Sequence, residues 1–389
     1  LVPSRQSNAP DAVLTGRGDA RMSAAPSCVT DCLATLADAV AAKTRAVRHI
    51  VGDATFFPDQ RWSPGMSWNN IPSSSGTAIA ALSVDDNEIA ATVTPGPVGA
   101  PPVVALPGYF SVENHARTVA GQGEALVYDR LPGSRVLVVT GTIGAAQAPV
   151  SWRLGVDDPA HHAAWQLGEM LRARGVAVTG EASSRYRPLM LEDDPEKRNG
   201  PAPARPRAEK ALAALEPPPL GEEISIINKR SQNLYSELLL RRLGLARGTG
   251  SIADGQAVVE AMLAEAGVAD AQVSLSDGSG MSSYNRVAPR GTVRLLSWIA
   301  KQPWADEFRA SLPVGGLDGT LRRRFAGTML AGRIFAKTGT LNATNALAGW
   351  LTTASGKTLT FAIYANNVPE GVSATAIMDR ALVALAEAN

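Results

Sequence analysis

Residues 336–353 read "AKTGTLNATNALAGWLTT". Lys337, Thr338 and Gly339 stand at the head of a run in which small, polar and apolar residues alternate, the pattern of a strand with one buried face. On a strand edge a lysine supplies positive charge and a threonine hydroxyl supplies a donor, while a glycine lets another backbone come close. That combination suits an anionic ligand lying along the strand. Three residues recur by chance, so the reading depends on what the rest of the chain supplies.

The chain has 389 residues, more than one ordinary core accommodates, which predicts two or three domains. Hydrophobic residues make up 45%, charged residues 19%, and the formal net charge is +1. This near-neutral balance excludes nucleic acid as a main partner, because phosphate binding needs a strong basic footprint. With 36 glycines and 26 prolines, turns and strands are expected over a helical bundle. Apolar runs such as "RVLVVTGTIGAAQAPV" are interrupted by glycine and polar residues and fall short of a membrane span. Cys28 and Cys32 are the two cysteines; with no second pair they cannot build a zinc ribbon. They form either a local disulfide, in an oxidising compartment, or two small buried side chains.

Along the chain, "CLATLADAVAAKTRAVRHI" is apolar at helical spacing and runs into the strand-like "HIVGDATFF". A strand-like run ends abruptly at Pro95-Gly96. "EALVYDRLPGSRVLVVTGTI" reads as two strands joined by Pro132-Gly133, and "AHHAAWQLGEMLRARG" as a helix closed by Gly175. The charged, proline-rich 191–219 segment is a linker or long surface loop. "LGEEISIINKRSQNLYSELLLRRLG" follows it and reads as a helix. The expected domains are 1–95, mixed α/β; 96–208, β-rich with the linker; and 209–389, a catalytic-looking half.

Two further runs stand with Lys337-Thr338-Gly339. One is Ser231-Gln232-Asn233, on or between helices; the other is "SDGSGMSSYNRVAP" over 276–289. In order and spacing these runs, with "LPVGGLDGTLRRRF" and "AKTGTLNATNALAGWL", resemble the class C low-molecular-mass penicillin-binding proteins, the D-alanyl-D-alanine carboxypeptidases/endopeptidases of peptidase family S13. Upstream, "GRGDARMS", "GDATFF", "PGMSWNN" and "AALSVDDNEI" resemble that family's inserted domains, so the resemblance covers nearly the whole chain.

The resemblance implies an α+β fold: a penicillin-recognising transpeptidase/β-lactamase-like domain, a five-stranded antiparallel sheet flanked by helices, with inserted β-rich domains. It implies action outside the cytoplasm on peptidoglycan peptide stems ending in D-Ala, acylation by β-lactams, and no metal or organic cofactor. In the family a serine attacks the D-Ala-D-Ala carbonyl, and water hydrolyses the acyl-enzyme. Lys337 would supply positive potential, Thr338 would bind the terminal carboxylate, and Gly339 would let the substrate backbone lie close. The N–H of Thr340 would be one of two oxyanion-hole donors. Ser231 would relay a proton near the leaving group, and Asn233 would hydrogen-bond the substrate's peptide group.

The family's nucleophile sits in Ser-x-x-Lys, upstream of "GRGDARMS". None of the seven lysines here (43, 197, 210, 229, 301, 337, 357) has a serine three positions before it. Ser4 and Ser7 lie in the right neighbourhood without a lysine. The chain opens on Leu1 and its first methionine is Met22, which leads us to expect a processed or shortened chain. The competing reading is a non-catalytic peptidoglycan-binding relative that keeps Ser231, Asn233, Lys337 and Thr338. A plain serine esterase shares the need for Ser-x-x-Lys. The remaining polar signals read as structural: Asp85 as a capped strand end, His161 and His162 as surface positions, and Arg322–Arg324 as a solvated face. "DGSG" reads equally as a turn or as support for the cleft. His49 and His115 have no G-x-S-x-G elbow to serve.

Overall fold

The computed structural model describes residues 1–3, 8–204 and 210–389. Ser4 and Ser7 lie outside the described residues. The chain forms two units, one of residues 1–217 with 248–251 and one of residues 218–247 with 252–389.

The first unit carries β1 (Ala12–Thr15), α1 (Leu33–Lys43), β2 (Ala46–Val47), β3 (Ile50–Pro58), β4 (Glu88–Thr94), β5 (Val103–Ala105), β6 (Ser111–Asn114) and β7 (Arg117–Val119). It continues through β8 (Glu124–Asp129), β9 (Val136–Gly144), β10 (Val150–Gly155), α2 (Pro159–Ala173), β11 (Ala177–Val178) and β12 (Ala182–Arg187). Among the described residues four sheets organise it: β1-β3-β12, all parallel; β10-β4-β5, antiparallel; β6-β9-β7 with β8 added to β9; and the parallel pair β11-β2. β8 and β9 form the hairpin expected around Pro132-Gly133. α2 starts as its sequence prescribes, with Asp158 as N-cap accepting from His161 N and Pro159 in the first turn.

Three details of this unit differ from the sequence reading or decide it. His162 is buried, at 1% exposure, on the face of α2 that also buries Ala163 and Leu167. Its ring packs between Tyr109 and Trp165, 4.7 and 6.1 Å between centroids. A neutral imidazole is apolar enough to be held this way, so the pair is not a pair of surface positions. Cys28 and Cys32 are joined as a disulfide, with Cα atoms 5.7 Å apart. Asp85, in the turn ahead of β4, ties down a distant segment and does not cap its own strand: its Oδ1 accepts from Ser23 Oγ (2.7 Å) and Ala24 N (2.9 Å).

The second unit contains α3 (Leu220–Arg230), α4 (Asn233–Gly244), α5 (Ile252–Glu265), β13 (Val273–Ser274), β14 (Arg286–Val287), α6 (Pro289–Ile299), α7 (Ala305–Ser311), β15 (Ile334–Leu341), β16 (Thr344–Thr352), β17 (Thr358–Ala365) and α8 (Ala374–Glu387). β15-β16-β17 is an antiparallel sheet of three strands, fewer than the five expected. The long strands of the first unit all pair within that unit, and β13 and β14 pair only with each other, leaving three for this sheet. Alternation decides its two faces. Ile334, Ala336, Leu347 and Leu351 pack with Met378 and Leu382 of α8, while Phe335 and Trp350 pack with Leu296 and Ile299 of α6 and with Phe308 of α7. The run after Lys337-Thr338-Gly339 is therefore a hairpin: Leu341 pairs with Thr344 across a two-residue loop, in which Ala343 is left-handed (φ 54°).

Candidate active site

Every residue of the candidate site belongs to the second unit. The single helix expected over 220–244 is two helices, broken at Ser231. Ser231 is left-handed (φ 57°, ψ 51°) and ends α3; Gln232 returns to extended backbone, and its side chain accepts from Leu234 N to start α4. A serine gains no steric relief there, so the conformation costs about 1–2 kcal/mol and persists because its surroundings impose it. Those surroundings are visible. Asn228 Nδ2 donates to Ser311 Oγ (2.7 Å), Lys229 pairs with Asp318 (2.6 Å), and the buried Glu223 pairs with Arg242 of α4.

The break aims Ser231 at β15. Lys337 Nζ donates to Ser231 Oγ at 2.7 Å and to Thr338 O at 2.8 Å. Among the described residues no carboxylate pairs with this ammonium. Burial without a counter-charge pushes the Lys337 pKa down to about 8. It is still mostly protonated at neutral pH, a cation held between hydroxyl and carbonyl oxygens.

β15 is an edge strand. Gly315 N donates to Ile334 O and Ala336 N to Pro313 O, so the backbone groups of Ile334 and Ala336 face a loop on that edge. Strand alternation turns the N–H groups of Thr338 and Thr340 to the same edge, beyond the end of that loop. Gly339 is exposed, and a Cβ there would meet only Ala346 Cβ, at 3.4 Å. The protein's own packing does not demand glycine at 339. It does at Gly349, where a Cβ would lie 2.0 Å from Phe335 O. Asn233, half-buried, is the first residue of α4, and the exposed Thr340 Oγ1 accepts from Asn345 Nδ2 at 3.4 Å.

The structure brings together Ser231, Lys337 and Thr338 as the sequence expected. It adds groups that the sequence reading missed. Thr338 Oγ1 donates to Thr320 Oγ1 at 2.8 Å. Glu237, one turn into α4 and 3% exposed, accepts from Gly278 N, Ser279 N and Ser279 Oγ while paired with Arg241 at 2.8 Å. The "DGSG" turn is thus fastened to the helix that follows the Ser231 break. Asp277 accepts from Gly280 N, Ser282 N and Asn285 Nδ2; burial, and then the nearby Glu237, raise its pKa. The pairing of Glu237 with Arg241 follows helical i,i+4 spacing, but its hold on the 278–279 turn carried no sequence signal, because those partners lie some forty residues away. Of the three arginines at 322–324, Arg324 is not a free solvated charge but pairs with Asp379 at 2.6 Å.

Among the described residues no group of three or more His, Cys, Asp or Glu is placed to hold a metal ion. No described helix is long and apolar enough to cross a membrane.

A model of the D-Ala-D-Ala carboxypeptidase 3 (S13) family matches residues 3–388. A D-alanyl-D-alanine carboxypeptidase of Actinomadura sp. (strain R39) is 33% identical over 403 residues, covering 99% of this chain and 71% of that protein. The D-alanyl-D-alanine carboxypeptidase DacB of Haemophilus influenzae is 24% identical over 334 residues, covering 83% of this chain and 65% of that protein. The chain thus spans between 65% and 71% of the length of these two relatives. The crystal structure of penicillin binding protein 4 (dacB) from Haemophilus influenzae superposes with a TM-score of 0.76 at 21% identity, covering 98% of this chain and 83% of that one. A second structure of that protein is complexed with a β-lactam and superposes with a TM-score of 0.69. The fold is that of a penicillin-binding protein 4, and the chain belongs to the D-Ala-D-Ala carboxypeptidase 3 (S13) family of peptidases.

Proposed function

We propose that the cleft of Ser231, Lys337 and Thr338 binds peptidoglycan peptides by their D-Ala carboxylate, as part of a serine-type D-Ala-D-Ala carboxypeptidase and endopeptidase. The observation that carries this reading is Lys337: a half-buried ammonium with no carboxylate partner among the described residues, bonded to Ser231 Oγ and beside an exposed strand edge. Such a charge attracts an anion, and the open N–H groups of β15 suit a peptide added as a further strand.

The roles follow from the chemistry. The nucleophile's oxygen adds to the penultimate carbonyl; the C–N bond breaks, and D-alanine leaves with a proton relayed by Ser231. Water then cleaves the acyl ester and frees the nucleophile. Thr340 N–H is one oxyanion donor, worth about 3 kcal/mol in the transition state. Asn233 holds the substrate's peptide group, Thr338 takes the carboxylate, and the room at Gly339 admits the substrate backbone. β-Lactams enter the same cleft and acylate the same nucleophile. Residues 1–208 are inserted in the transpeptidase-like domain, the two parts 1–95 and 96–208 sharing sheets through the β4–β10 and β3–β12 pairings, and the protein works in the cell envelope, outside the cytoplasm.

A second reading rests on one sequence fact: residues 1–389 contain no Ser-x-x-Lys. A chain limited to these residues binds D-Ala termini without acyl transfer. Intact mass before and after incubation with a penicillin separates the two. An adduct on the purified protein supports the enzyme. No adduct, with binding of a D-Ala-D-Ala peptide retained, supports the binding relative, and no binding of either ligand overturns both.

A further inference from the structure

Thr320 sits in a short 3-10 turn, Gly319–Leu321, in the loop between α7 and β15, and its side chain is exposed. The turn is held independently of that side chain. Asp318 takes Lys229 Nζ on one oxygen (2.6 Å) and Val314 N on the other (2.8 Å). Gly319 is left-handed (φ 54°), and a Cβ on it would come within 2.9 Å of Lys229 O and 3.0 Å of Pro313 Cβ. Leu321 is fully buried in the core beneath α8. Lys229 stands two residues before Ser231, so the turn fixes Thr320 relative to both walls of the cleft. An exposed hydroxyl has been placed rigidly, at 2.8 Å from the hydroxyl of Thr338.

If the contact served only to hold the turn, it would add little to three attachments that already do so. Its chemistry points outward. A hydroxyl carries one proton and two lone pairs. When Thr338 donates to Thr320, the proton of Thr320 is left for a group outside the protein. When an anion arrives the two can instead donate together, one hydroxyl to each carboxylate oxygen, a two-point contact that a single hydroxyl cannot make. We propose that Thr320 is a specificity-determining residue that forms with Thr338 a two-hydroxyl clamp for the ligand's terminal carboxylate. The clamp selects peptides that end in a free carboxylate over those whose terminus is amidated or continues as a chain. This inference rests on the carboxylate-binding reading of the Lys337 cleft.

The test is calorimetric titration with diacetyl-L-Lys-D-Ala-D-Ala and with its C-terminal amide, on the wild-type protein and on T320V, T320A and T320S. The wild type should favour the acid. T320V and T320A should bind the acid about tenfold more weakly, the loss of one hydrogen bond to a charged group, with the amide unchanged. T320S, which restores the hydroxyl, should return to within about twofold of wild type. Position 320 is exposed, so melting temperatures should not move, and T320A keeps the question open to refutation if the branched valine disturbs the turn. A preference for the acid in the wild type that survives undiminished in T320V and T320A overturns the clamp and leaves the cleft reading standing. No preference for the acid in the wild type overturns both.

Discussion

Ser231 shows how one residue can carry strain and chemistry together. Its left-handed backbone would suit glycine, yet its hydroxyl is what Lys337 bonds. The two roles separate by substitution. Ser231→Gly removes the oxygen and relieves the backbone, whereas Ser231→Ala removes the oxygen and keeps the strain. We expect S231G to be more stable than S231A by about 1 kcal/mol, read from urea unfolding, with both losing ligand binding. Equal stabilities would mean that the backbone strain is absent. Lys337 makes a second prediction. Its folded pKa of about 8 lies below the ordinary 10.5, so the unfolded state holds the proton more tightly and stability rises with pH across that window. Ligand binding runs the other way. Affinity for a D-Ala carboxylate is full below about pH 8 and falls as the ammonium deprotonates above it, with the midpoint moved upward in the complex because the bound anion favours the charged lysine. K337M should bind weakly at every pH. An affinity in the wild type that stays flat from pH 7 to 10 would sink the electrostatic role.

At the scale of elements, the sequence was legible where a single periodicity rules a segment, and blind where a turn uses an unusual residue. The hairpin of β8 and β9 and the end of α2 were readable because Pro132-Gly133 and Gly175 announce them. The break between α3 and α4 was not, because apolar spacing continues through Ser231 and nothing in a serine signals left-handed backbone. The β15–β16 hairpin was hidden for the same reason, its turn falling on Asn342-Ala343 and not on a glycine. Ser231, Lys337 and Thr338 were legible through their order and spacing. The Thr320–Thr338 contact and the hold of Glu237 on the 278–279 turn needed the fold, since these partners are distant in sequence. Glu237 gives the element-scale prediction. It is the acceptor for the 278–279 turn and the partner of a buried arginine. Glu237→Ala takes one carboxylate from the buried Arg241 and frees the turn, a loss of about 3 kcal/mol. Glu237→Gln keeps an acceptor oxygen and should lose less. If E237A melts within a degree of wild type, the turn is held by other contacts.

At the scale of the whole molecule, the two units face pH with different groups, and the first contains an acid-sensitive one. His162 is buried among aromatic rings, and neither ring nitrogen has a hydrogen-bond partner among the described residues. Burial, then the neighbouring His161 and Arg135, push its pKa down to about 3. The folded state keeps it neutral while the unfolded chain protonates it near 6.5, so its contribution to stability is full above pH 6.5 and is lost as pH falls from there toward 3. The loss is at most about 1.4 kcal/mol per pH unit for one proton. Asp158 and Asp193 also weaken the first unit in acid, but hydrogen bonds from Tyr186, Ser184 and Arg187 among others hold their carboxyls below the usual range despite burial, so they act only under pH 4. Between pH 6.5 and 4.5 Asp31 of the same unit acts in the opposite sense: burial raises its carboxyl to about 7, so acid favours the folded state there, and the readout is the difference between wild type and a His162 variant. His161 is also lowered, by burial and then by Arg135, but it is only half-buried and Arg135 bonds it. Across that interval we expect the melting temperature of wild type to drop relative to that of His162→Leu, the leucine filling the aromatic pocket without a proton to gain. Parallel slopes in the two proteins would move the acid sensitivity away from His162. A flatter slope with H161Q than with H162L would assign it to the neighbour that faces Arg135.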